Sequence, residues 1–153
     1  MADSRLVYVT TIRTTPEKLW LALLDPEFTC QYWFGTRHEC SWEANADWKL
    51  MTPDGRVGYS GEVLEIDPPR RLVLSWRAEF RPEWREEGHS RVTFELERCG
   101  ASVKLTVVHE IDKPESKLLG TLSKGWPRLL ASLKSLLETG ESLAETREWP
   151  KGF

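Results

Sequence analysis

His109 is the polar side chain with the most chemical promise in this sequence. It follows Val103, Leu105 and Val107 at alternate positions, so the strand alternation that buries those three carries His109 to the covered face as well. An imidazole there could anchor a polar ligand group or move a proton near neutral pH. The plainer reading is a histidine satisfied by an internal hydrogen bond, the common fate of buried polar groups. No carboxylate in the pattern pairs convincingly with His109, so a catalytic base lacks a partner.

Tryptophan carries the second signal, with eight residues in 153. Trp33, Trp48, Trp76, Phe94 and Trp126, with His109 and Leu130, are the candidate wall of an apolar small-molecule site. Such sites combine large apolar surfaces with a few polar tips. The same rings would also pack at native density and leave no space.

Other chemistry-bearing residues point to blander roles. His38 and His89 sit among polar neighbours and read as solvated loop or strand-end residues. Glu86-Glu87 is a local charge run suited to a solvated loop, and Arg70-Arg71 reads as exposed charge at a strand entry. Arg81-Pro82-Glu83-Trp84-Arg85 departs from strand alternation and reads as a loop at a cavity mouth or an exposed contact. No nucleophile elbow, phosphate loop or HExxH is present.

The elements that would hold these residues follow from periodicity. Residues 5–13 are rich in β-branched side chains and predict a strand. Thr15-Pro16-Glu17 opens a helix, which carries a Leu19, Trp20, Leu23, Leu24 stripe that marks Trp20 as core. Asp25-Pro26-Glu27 ends it and starts a second short helix through about Phe34. From 36 to 111 short strands take over, separated by turns such as Pro53-Asp54-Gly55 and Asp67-Pro68-Pro69. Leu72, Leu74, Trp76, Ala78 and Phe80 share one face, as do Val92, Phe94 and Leu96. This pattern predicts an antiparallel sheet of about six strands, covered on one side. A final helix covers it, with Leu119, Leu122, Trp126, Leu129, Leu133 and Leu136 at steps of three and four. Pro127 predicts a kink or restart near 124–127, and residues 141–153 read as a polar tail.

Composition bounds the function. At about 150 residues per domain, the chain is expected to be a single domain over 1–153 with its core at 5–140. It is 40% apolar and 29% charged, which argues against disorder. No run approaches the roughly 18 apolar residues of a membrane span, and the N-terminus lacks a signal-peptide core, so a cytoplasmic location is expected. Cys30, Cys40 and Cys99 are odd in number and lack metal-ligand spacing, so neither a disulfide framework nor a zinc site is expected. A net charge of -3 offers no general attraction to nucleic acid. No cofactor is implied.

The segments TTPEKLWLALLDPEFTCQYWFG (14–35), GEVLEIDPPRRLVLSW (61–76), SRVTFELE (90–97), VKLTVVHE (103–110) and GWPRLLASLKSLLETG (125–140) together resemble the START-like (SRPBCC, Bet v I-like) superfamily. The resemblance is to its branch around the activator of heat-shock protein 90 ATPase. It implies an α+β helix-grip fold, in which a curved antiparallel sheet of seven strands wraps a long C-terminal helix. It also implies, in many members, a cavity for a small hydrophobic molecule. Three functions follow as expectations: a non-catalytic binder of an unidentified small hydrophobic molecule, a co-chaperone-like interaction module, or a cyclase-type enzyme using His109. A monomer or homodimer suits any of them, and the fold alone does not choose.

Overall fold

The computed structural model describes residues 4–151. The chain begins with strand β1 (Ser4–Ile12), followed by helices α1 (Pro16–Leu24) and α2 (Pro26–Tyr32). The Thr15 hydroxyl caps α1 by accepting from the Lys18 N–H at 3.2 Å. Asp25 serves both helices: its own N–H donates to the Leu21 carbonyl, and its side chain accepts from the Glu27 N–H at 2.9 Å. A proline at the first position of each helix suits this tight junction, since the N–H it lacks would have no helical partner.

Six strands follow, β2 (Arg37–Glu39), β3 (Asp47–Met51), β4 (Val57–Asp67), β5 (Arg71–Ala78), β6 (Ser90–Cys99) and β7 (Ser102–Ile111), with a one-turn helix α3 (Pro82–Arg85) between β5 and β6. All seven strands form one antiparallel sheet in the order β1-β7-β6-β5-β4-β3-β2. Register shifts at Leu50/Met51 and Val63/Glu65 bend the β3–β4–β5 half. Gly61 sits at this bend, where a Cβ would lie 1.9 Å from the Ser75 carbonyl oxygen, so only glycine allows the approach.

Alternation buries one face. Leu72, Leu74, Trp76 and Ala78 of β5, Val92, Phe94 and Leu96 of β6, and Val103, Leu105, Val107 and His109 of β7 are all buried. Val73 is an exception on the opposite parity. It is fully buried in the row Glu65–Val73–Thr93, on the face where Arg71 and Arg91 pair with Glu65.

The long helix α4 (Lys117–Thr139) buries Leu119, Trp126, Leu129, Leu130, Leu133 and Leu136. Ser116 caps its start by accepting from the Leu119 N–H at 3.2 Å. Gly140 ends it in the left-handed region (φ 88°), donating to the Leu136 carbonyl at 2.9 Å. The expected break at Pro127 does not occur, and α4 runs through it. Proline removes the donor for the carbonyl four residues back, Ser123, and the Tyr8 hydroxyl of β1 donates to that carbonyl at 3.2 Å.

Residues 141–151 depart from the polar tail expected of them. A 3-10 turn at Ala144–Thr146 buries Thr146, whose hydroxyl meets Ser132 Oγ at 2.6 Å, while the Phe34 N–H donates to the Thr146 carbonyl at 2.7 Å. Two polar side chains and one carbonyl thus strap the segment across α4 and the end of α2. Residues 152 and 153 lie outside the described residues.

Candidate functional site

Trp76 on β5 is the centre of an aromatic assembly. Trp33, just after α2, stacks on it at 6.0 Å with planes 15° apart. Trp48 of β3 and Tyr59 of β4 each lie 4.7 Å from it, His109 5.6 Å and Trp126 6.0 Å. Phe94 lies 6.1 Å from Trp126 and 6.5 Å from Trp33. The candidates Trp33, Trp48, Trp76, Phe94, His109 and Trp126 therefore meet in one cluster, and Leu130 is buried in the same core.

Two indole–imidazole pairs order this cluster. Trp126 Nε1 donates to His109 Nδ1 at 3.1 Å. That bond assigns the proton of the neutral ring to Nε2, which donates to Ser90 Oγ at 2.7 Å. Ser90 in turn donates to the Trp76 carbonyl at 2.9 Å. Each group in this hydrogen-bonded relay, from the Trp126 indole to the Trp76 carbonyl, has a partner. Burial pushes His109 down to about 3, so it is neutral at physiological pH.

His38 corrects the reading of a solvated residue. It is buried, accepts from Trp48 Nε1 at 2.8 Å on its Nδ1, and is pushed down to about 3 by burial, with the Leu23 carbonyl acting in the opposite direction. Strand β2 is only three residues long, too short to show the alternation that would have placed His38 inside. His89 is exposed, as its polar setting suggested.

Beside the cluster lies a pocket of about 250 Å³. Trp33, Trp76 and Trp126 line it, together with the buried Tyr59 and Trp84. Half-buried Phe34, Phe80, Leu122 and Trp149 complete the apolar wall, and Thr121, Lys124 and Arg128 on α4 supply polar groups. Trp48, Phe94, His109 and Leu130 are not among its lining residues; Trp48 instead borders a separate polar depression with Asp47, Glu62 and His89. The Arg81–Arg85 segment folds as α3 and presents Trp84 to the pocket, so its cavity-mouth reading fits better than an exposed contact. Phe80 packs edge-on against both Trp84 (5.4 Å) and Trp149 (5.2 Å). Phe80 has the parity of Trp76, a signal visible in the sequence. Trp149 gave none, because the strap that brings it back rests on Thr146 and Ser132.

Among the described residues the lining has no carboxylate, cysteine or histidine, and its rings offer a surface for apolar contact. The indole N–H groups of Trp76 and Trp149 are buried with no acceptor among the described residues.

A seven-stranded antiparallel sheet wrapped on a long C-terminal helix, with short helices after the first strand, defines a helix-grip protein of the START-like class. Within that class the chain belongs to the family of Activator of Hsp90 ATPase homolog 1-like proteins, whose profile matches residues 13–138. Protein MLL2253 from Mesorhizobium loti is similar in structure at 25% identity, with 88% of this chain and 96% of that one covered and a TM-score of 0.74. The Aha1 dimer from Colwellia psychrerythraea gives a TM-score of 0.74 at 17% identity, covering 91% and 99%. An HSP90 activator from Plasmodium falciparum gives 0.71 at 22% identity, covering 87% and 95%. The last two likenesses concern the fold alone. Among curated proteins no sequence matches significantly. No helix among the described residues is long and apolar enough to cross a membrane.

Proposed function

We propose that this chain is a non-catalytic binding protein for a small hydrophobic molecule, working in the cytoplasm as a monomer or homodimer. The observation that carries the reading is the pocket of about 250 Å³ walled by tryptophan, tyrosine and phenylalanine. A cavity of roughly 150 Å³ already accommodates benzene, so this larger, open pocket has room for a ligand of two or three rings. A non-catalytic role is supported by His109: both its nitrogens are engaged internally, and it is neutral and enclosed. The neutral probe phenylnaphthylamine should bind with a blue-shifted emission, and Trp84→Ala should weaken it. Absence of binding would remove this reading.

Family membership favours a second reading, a co-chaperone-like module that contacts a heat-shock protein 90. The tryptophans best suited to a protein interface are otherwise engaged, with Trp84 buried and Trp149 packed on Phe80. Stimulation of a cognate heat-shock protein 90 ATPase by the purified protein would establish this second role. A null result would confine the chain to ligand binding.

A further inference from the structure

Resting on the pocket reading above, we infer that its ligand is an amphipathic organic anion, a ring-bearing or acyl carboxylic acid whose carboxylate is held by Lys124 and Arg128. Both residues line the pocket from α4, both are exposed, and neither has an ion pair or hydrogen bond among the described residues. The nearby arginines of the sheet are neutralised by carboxylates: Arg77 and Arg85 meet Glu79, while Arg71 and Arg91 meet Glu65. Among the described residues the pocket lining contains no Asp or Glu, so none of them offers the two cations a counter-charge there.

Their spacing adds to the inference. Positions 124 and 128 are one helical turn apart, and like charges at that spacing repel. Thr121, one turn earlier, extends the same stripe and also lines the pocket. A carboxylate between Lys124 and Arg128 would relieve the repulsion and accept hydrogen bonds from both, while the apolar body fills the space over Trp33, Trp76 and Trp126. Charge at the rim and rings below select a molecule with an acid at one end.

Naphthylacetate and its methyl ester share one apolar body and differ in charge, so their affinities by titration calorimetry at low ionic strength isolate the anion site. An exposed ion pair supplies up to about a fivefold preference, so two should favour the acid by about tenfold. Added salt should shrink that preference. In the Lys124→Gln/Arg128→Gln variant the acid should fall to the affinity of the ester, with the ester unchanged. Arg128→Lys should keep most of the preference. Equal affinities in the unmodified protein, or a preference that survives the double substitution, would overturn the anion site while leaving the pocket intact. Binding of neither compound would overturn the pocket reading itself and this inference with it.

Discussion

The Tyr8 hydroxyl donates to the carbonyl of Ser123 across 115 positions of sequence, serving the acceptor that Pro127 leaves without its helical donor. A proline inside the longest helix is therefore accommodated by a strand at the far end of the chain. Tyr8→Phe should cost about 1–2 kcal/mol by leaving a half-buried carbonyl unmet. Pro127→Ala restores the N–H, so in that background the same change should cost appreciably less. A double-mutant cycle by urea unfolding that shows no coupling between Tyr8 and Pro127 would refute the relationship.

His109 holds Trp126 and Ser90 at once, and this dictates which substitutions are tolerated. Glutamine offers an acceptor and a donor, so His109→Gln should retain most of the stability and leave phenylnaphthylamine binding nearly unchanged. His109→Leu should lose about 2–4 kcal/mol, because it strands the Trp126 N–H and removes the donor to Ser90 Oγ. Equal unfolding midpoints for the two variants would show that the imidazole contributes only volume.

The two neutral histidines make stability depend on acid. His38 and His109 are held at about 3 in the fold, against an ordinary value of 6.5. Between those limits the unfolded chain takes up protons that the folded chain refuses. Stability is therefore complete above about pH 6.5 and declines as the pH falls toward 3, by about 1.4 kcal/mol per pH unit for each histidine. Urea midpoints measured at steps from neutral pH downward should show this slope, and His109→Gln should reduce it by about half. A flat profile from pH 7 to 5 would contradict the burial of both rings.

Leu133 tests the clasp of helix on sheet. It is fully buried on α4. Leu133→Ala should destabilise by about 2–5 kcal/mol, with thermal and urea melts shifted together. Trp20, only partly buried at the edge of the core and absent from the pocket wall, offers the contrast: Trp20→Phe should lower stability modestly and leave ligand binding unchanged.

Much of this architecture is local in origin, and the sequence by itself determined it. The caps at Thr15, Asp25 and Ser116 act within three residues, the alternation along β5, β6 and β7 repeats every two, and the α4 stripe repeats every three or four. His109 is legible inside because a ten-residue strand displays its parity, and Trp76, Phe94 and Trp126 are legible because they sit on such strands and that helix. Only the tertiary structure decided the rest. It buried His38, whose strand is too short to carry a period, and it kept α4 whole by lending Pro127's orphan carbonyl a hydroxyl from β1. It also chose which rings line space and which fill it, by folding the last residues back through Thr146 and setting Trp149 against Phe80. These outcomes rest on single contacts between residues far apart in the chain, and such contacts leave no periodicity for a local reading to detect.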